Sequence, residues 1–134
     1  MGLPVNFLGI GFPQSGTTWL HSILSSHPQV QTPLGKKEID YFNRFYHRGE
    51  DWYAAHFPGI PNPPIAIGEV GPHYVLSLPA RDRILNTCPD SRFIVMLRDP
   101  KSRFISTFNH RRRFDQRLNL RDFFADCSGE LLNL

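Results

Sequence analysis

Cysteine is scarce in this chain: Cys88 and Cys127 are the only two in 134 residues. A pair so spaced builds neither a disulfide framework nor a thiolate metal site. Each is expected to be a small buried apolar residue, with a disulfide between them as the alternative. His21, His27, His47 and His56 show no ligand spacing, so no metal is expected. No stretch approaches the roughly 20 apolar residues of a membrane-spanning helix. The N-terminus lacks the basic region and apolar core of a secretory signal. Internal repeats, low-complexity tracts and nucleic-acid-binding motifs are missing as well.

What is present suffices for one domain with a core. Hydrophobic residues make up 40% of the chain, 11 of them Phe. Lys and Arg number 15 against 12 Asp and Glu, a net charge of +3. The basic residues cluster late, at Arg98, Lys101, Arg103, Arg111, Arg112, Arg113, Arg117 and Arg121. Such a cluster suits a polyanionic partner, although the Arg111–Arg113 run is equally readable as a solvated helix face.

The first motif is Gly11-Phe-Pro-Gln-Ser-Gly-Thr-Thr-Trp-Leu20, directly behind the apolar run Val5–Ile10. It reads as strand, glycine-bracketed turn and helix, with spacing close to the phosphate loop G-x-x-x-x-G-K-[ST]. Backbone N–H groups of such a turn converge on one anion, and the helix adds its N-terminal partial positive charge. The lysine that reaches the β- and γ-phosphates of a nucleoside triphosphate is absent, because Thr17 holds its place. A cradle without that lysine suits a 5′-phosphate with no triphosphate tail.

The second motif follows another β-rich run, Arg92–Leu97. In Arg98-Asp-Pro-Lys-Ser-Arg103, Asp99 is a good N-cap and Pro100 suits the first helical turn. Arg98 then stands at the carboxyl end of a strand, where open α/β sheets bind ligands. Ser106 follows about two helical turns along. An arginine and a hydroxyl so placed can hold a second phosphate.

Together these motifs resemble the sulfotransferases that use 3′-phosphoadenosine 5′-phosphosulfate (PAPS). In that family P-x-S-G-T-T-W grips the 5′-phosphosulfate and R-D-P-x-x-R…S the 3′-phosphate. This chain has Pro13-Gln14-Ser15-Gly16-Thr17-Thr18-Trp19 and Arg98-Asp-Pro-Lys-Ser-Arg103…Ser106. Between them, Lys37-Glu-Ile-Asp-Tyr-Phe42, Tyr46-His-Arg-Gly-Glu-Asp-Trp-Tyr53 and Gly68-Glu-Val-Gly-Pro-His-Tyr74 look like the heparan sulfate branch, above all its N-sulfotransferase domain. The resemblance implies PAPS as co-substrate, without a metal. It favours a carbohydrate hydroxyl or amine as the sulfate acceptor, with small alcohols and phenols as alternatives; nucleic acid, the runner-up partner for the basic cluster, is not expected because its motifs are missing. Domains of the family are about twice as long, so residues 1–134 are expected to be the N-terminal portion of one, with an exposed sheet edge and an uncovered apolar face. Taken as written the chain is expected in the cytoplasm. Cut from a longer membrane-anchored protein, it would belong in the Golgi lumen.

Site roles follow the same resemblance. Glu38 would be the base that takes the acceptor's proton, and Lys37 would contact the sulfonate or the leaving oxygen. Read from the residues alone, Glu38 is more often a solvated carboxylate in a charged turn, and it is the resemblance that favours the base. His110 shares a helix face with Ser106 and would lie near the sulfate or the acceptor, or simply on the helix surface. His73 is the rival base. Glu69, at a strand end, would orient neighbours or bind Lys37. Trp19 is expected to pack in the core, with stacking near an adenine as the alternative. One departure stands out: most relatives carry a cation at the position of Gln14, where it stabilises the bridging oxygen. Lys36 or Lys37 would have to replace it. Otherwise the chain is a nucleotide-binding remnant without turnover. A P-loop kinase and a structural domain with a vestigial loop are the other readings.

The expected fold is an open parallel α/β sheet of the P-loop type with helices on both faces. Strands are expected over 5–11, 30–32, 65–69 and 92–97. Helices are expected over 17–26, 51–56, 81–88 and 100–113, the third with Ile84, Leu85 and Cys88 inward. Residues 39–46 read as helix or turn, residues 59–64 as a surface loop, and Asn119 as the cap of a last helix carrying Leu120, Phe123 and Phe124.

Overall fold

The structure, a computed structural model, describes residues 3–59 and 63–131, the last four of these by backbone alone. The chain separates into two compact units, Met1–Leu97 and Arg98–Leu134.

The first unit holds the sheet. Its strands are β1 (Phe7–Gly11), β2 (Val30–Gln31), β3 (Ala66–Val70) and β4 (Arg92–Val95). They lie in the order β2-β3-β1-β4 and every pairing is parallel. β1 is central, with Phe7 opposite Gly68 on one side and Arg92 on the other. Its sequence FLGIG is almost wholly buried, as a strand flanked by partners and covered on its faces requires. Parallel neighbours need crossovers, and these are supplied by α1 (Thr17–Ser26), α2 (Glu50–Ala54) and α3 (Leu78–Thr87). α1 stops at His27, whose extended backbone is what the following Pro28 demands.

The core of this unit is aromatic. Residues 41–45 form a π-helical turn, followed by a 3₁₀ turn at Tyr46–Arg48. Tyr41 stacks on Tyr53 with ring centroids 4.6 Å apart, and Phe42 meets Tyr74 edge-on at 5.4 Å. Arg83 of α3 donates to the carbonyls of Phe42 and Asn43 at 2.7 and 3.1 Å, pairing backbone groups that a π-helical turn leaves open.

Several elements differ from the sequence reading. α3 starts at Leu78, three residues before the expected Arg81, because Ser77 accepts from Ala80 N at 3.3 Å and Pro79 suits the first turn. α2 is shifted one residue earlier, to Glu50. Leu85 is 57% exposed, while Ile84 and Cys88 point inward as expected. Trp19 is 63% exposed rather than in the core, since the inward positions of α1 fall to Leu20 and Leu24. Among the described residues no disulfide joins Cys88 to Cys127; Cys88 is buried as expected and Cys127 is half-buried. β4 is an edge strand, and Phe93 and Val95 leave it exposed on one side. The expected loop 59–64 lies partly outside the described residues.

The second unit is a helix pair. α4 (Pro100–Arg112) is capped by Asp99, whose carboxylate accepts from Ser102 N at 2.8 Å. α5 (Leu120–Leu131) is capped by Asn119, which accepts from Asp122 N at 2.9 Å. Phe123 is buried between them, 4.9 Å from Phe104 and 5.5 Å from Phe108. α5 carries Leu120, Phe123 and Phe124 as expected; Leu120 and Phe124 are exposed, and the Phe124 ring lies 5.9 Å from Phe104.

Candidate active site

All strands of a parallel sheet end at one edge, and the loop after the central strand lies there. β1 ends in Gly11, where a Cβ would run into the Val75 side chain. Gly11 O accepts from Met96 N at 2.8 Å and Phe12 N donates to Met96 O at 2.9 Å, so the start of the loop is latched to the end of β4. The backbone then turns twice through left-handed conformations, at Gln14 (φ 62°) and Gly16 (φ 90°). Gly16 takes its turn without strain; Gln14 adopts a conformation rarer for a residue with a side chain.

Gly16 is the N-cap of α1, and no side chain caps the helix. The N–H groups of its first turn have no intrahelical acceptor. Ser15 Oγ is buried and has no hydrogen-bond partner among the described residues. A buried hydroxyl left in this way is costly unless a ligand takes it up.

The connector after β2 brings the next residues. Lys37 Nζ donates to Thr17 Oγ1 at 3.2 Å and to Thr18 Oγ1 at 3.3 Å, and pairs with Glu38 Oε1 at 2.9 Å. His73 Nδ1 stands 4.0 Å from the other Glu38 oxygen. Thr17, Thr18, Lys37, Glu38 and His73 thus form one constellation on the first unit, and both candidate bases belong to it. Lys36 is exposed. An open depression of about 390 Å³ runs beside Lys37, lined also by His21, Ser25 and Thr32. Burial, aided by the Lys37 charge, pushes His21 below the usual histidine range. The sequence offered only that His21 lacks ligand spacing, and nothing in that spacing shows that it lies against Lys37.

Beneath this constellation lies Glu69, fully buried. Its Oε2 accepts from Ile39 N at 2.9 Å; its Oε1 accepts from Tyr53 OH at 3.0 Å and Tyr74 OH at 2.8 Å. The Glu69 carboxyl thus accepts from three separate segments of the first unit. Lys37, the other partner expected for it, donates instead to Thr17, Thr18 and Glu38. Burial raises the Glu69 carboxyl to about 7, against the three hydrogen bonds that favour its charged form.

Arg98, Ser106 and His110 belong to the second unit. Ser106 and His110 lie one turn apart on α4, and the His110 ring meets Phe114 edge-on at 5.4 Å. Arg111 pairs with Asp126 at 2.8 Å and covers the Phe123 ring, so this member of the arginine run ties α4 to α5. Among the described residues no group of three or more His, Cys, Asp or Glu could hold a metal, and no helix is long and apolar enough to cross a membrane.

A family model described as "Sulfotransferase domain" matches residues 5–132. The chain belongs to the sulfotransferase domain family. The "Membrane-associated sulfotransferase kil1" of Dictyostelium discoideum is 39% identical over 107 residues, covering 78% of this chain and 22% of that protein. The human "Bifunctional heparan sulfate N-deacetylase/N-sulfotransferase 3" is 34% identical over 126 residues, 90% of this chain and 14% of the relative. Mouse "Heparan sulfate glucosamine 3-O-sulfotransferase 6" is 35% identical over 99 residues, 74% of this chain and 28% of the relative. The solved sulfotransferase from Alicyclobacillus acidocaldarius superposes with a TM-score of 0.77 at 28% identity, over 88% of this chain and 54% of that one. The sulfotransferase domain described here therefore spans less than a third of these curated relatives and about half of the solved structure.

Its first unit has the features of an anion site: a helix N-terminus without a side-chain cap, a left-handed loop before it, a buried Ser15 hydroxyl without a partner among the described residues, and one ammonium against two hydroxyls in the first turn of α1.

Proposed function

We propose that this sulfotransferase domain transfers a sulfuryl group from PAPS to a hydroxyl or amine of a carbohydrate-like acceptor. The observation that carries the reading is Lys37, which bridges the loop hydroxyls and the carboxylate of Glu38. One side chain thereby joins the end where negative charge develops to the end where a proton must leave.

The acceptor oxygen or nitrogen attacks sulfur in line, and the bond from sulfur to the 5′-phosphate oxygen breaks. Charge grows on that oxygen. Backbone N–H groups of Ser15–Thr18, the threonine hydroxyls and Lys37 are in place to meet it, as preorganised donors do in other group transfers. Glu38 takes the acceptor's proton. Pro13 and Gln14 shape the loop ahead of these donors. Lys37 supplies the cation that Gln14 lacks, which speaks against a remnant without turnover. From their motif, Arg98 and Ser106 take the 3′-phosphate, the arginine in charge-assisted fashion, and His110 lies near the sulfate or the acceptor. Relatives named for heparan sulfate support a glycan acceptor, and such an acceptor goes with the lumenal rather than the cytoplasmic alternative.

Calorimetry with 3′,5′-adenosine bisphosphate (PAP), followed by turnover with PAPS, tests the reading. Saturable PAP binding with turnover supports it. PAP binding without turnover leaves a remnant, and ATP binding without PAP binding points to a kinase.

A further inference from the structure

We propose that Glu69 is a positioning residue for the reaction: by accepting the Ile39 N–H from beneath, it fixes the backbone that carries Lys37 and Glu38 against the phosphate loop. The proposal rests on the sulfotransferase reading for its purpose and on geometry for its substance.

Three donors from three separate segments converge on this one carboxyl. Ile39 N comes from the connector after β2, Tyr53 OH from α2 and Tyr74 OH from the 3₁₀ turn after β3. An ionised carboxyl is an acceptor on both oxygens and takes all three at once. A side chain with one acceptor oxygen must give up either Ile39 or the tyrosines. Burying such a group among aromatic rings is costly, and core filling alone is served by an apolar residue. What the carboxyl adds is a fixed point for the connector.

That fixed point lies next to the reacting groups. Ile39 directly follows Glu38 and is buried, whereas Lys36 on the other side of the pair is exposed. Asp40, just beyond, turns through a left-handed conformation at φ 58°. The connector is therefore pinned at Ile39 and open before Lys37. Lys37 and Glu38 have long side chains, and the reach of Lys37 Nζ to both threonines depends on where their backbone is held. Placement to within about half an ångström is what a transfer site needs from such supports.

The test uses Tyr53→Phe/Glu69→Leu/Tyr74→Phe, which removes the carboxyl together with the two hydroxyls it pairs and leaves the Ile39 N–H as the group that loses its acceptor. The readouts are amide exchange at Ile39, the acylation rate of Lys37 against Lys36 as internal reference, PAP affinity, and kcat and KM for PAPS in the full chain. We expect Ile39 exchange and relative Lys37 acylation to rise about tenfold while Leu8 and Val70 amides stay protected. We expect kcat to fall about tenfold with KM for PAPS within about twofold. Unchanged Lys37 and Ile39 in a folded variant would overturn the proposal. Should the triple variant not fold, Glu69→Gln decides: about threefold faster Lys37 acylation supports it, given one acceptor oxygen in place of two, and an unchanged rate refutes it. Failure of the parent to bind PAP would sink the sulfotransferase reading and leave the Lys37 and Ile39 readouts as they stand.

Discussion

Lys37 Nζ lies 3.2 Å from Thr17 Oγ1, at the very position where a phosphate loop of the nucleoside-triphosphate kind carries its own lysine. The cation has not been lost from the loop; it arrives from the connector after β2, and it comes bound to a carboxylate. This gives the first expectation. Lys37→Met should lower kcat by about 10²–10³, the scale seen when one charge-stabilising donor is removed from a transfer site, with a smaller loss of PAP affinity. Steady-state kinetics alongside calorimetry check it.

Gln14→Lys should raise turnover by restoring a cation beside the leaving oxygen. If Lys37 already supplies that charge, the gain should be small in the parent and larger in a Lys37→Met background. A double-mutant cycle measures the difference, and additive effects would show that the two positions do not share a role.

Arg98→Ala and Ser106→Ala should both weaken PAP binding, the arginine more, because its contact is charge-assisted and the hydroxyl's is not. Binding of adenosine 5′-phosphosulfate, which lacks the 3′-phosphate, should be nearly insensitive to either change. Equal losses for both nucleotides would place the 3′-phosphate elsewhere.

Glu69 predicts a pH dependence of stability. Its carboxyl is raised from the ordinary 4.5 to about 7 in the folded state, chiefly by burial. Between those values the folded chain holds a proton that the unfolded chain has released, so stability falls as pH rises. The contribution is fully present below about pH 4.5 and gone above about pH 7. At about 1.4 kcal/mol for each pH unit it is worth about 3 kcal/mol. The Asp40 charge adds to the effect of burial on Glu69, while Tyr53, Tyr74 and Cys88, all pushed up by burial, stay neutral across this range. Denaturant unfolding at pH 5 and pH 8 should show this loss in the parent and not in Glu69→Gln.

Local chemistry made the two motifs legible. The glycine spacing and the following threonines place the left-handed Gly16 and the start of α1 at Thr17, as expected. Asp99 and Pro100 place the start of α4 in the same way, through capping and a preset φ. What the sequence hid is set by contacts distant along the chain. Trp19 was read as core because it is large and apolar, but the phase of α1 turns it outward. Leu85 fails for the same reason on α3. The π-helical turn at 41–45 depends on Arg83, some forty residues on, to pair its carbonyls. Glu69 carried a hint as a carboxylate at a strand end; its bonds to Tyr53, Tyr74 and Ile39 bridge segments that no local pattern connects.

Turnover and PAP affinity of Glu38→Gln, measured side by side, bear most directly on the proposed chemistry. Gln keeps the shape of Glu38 and loses the proton acceptor. PAP affinity should stay within about twofold while kcat falls by about 10²–10⁴, the range for loss of a general base. Full activity in Glu38→Gln would remove Glu38 from the mechanism and move the base to His73, which stands 4.0 Å away, or to His110.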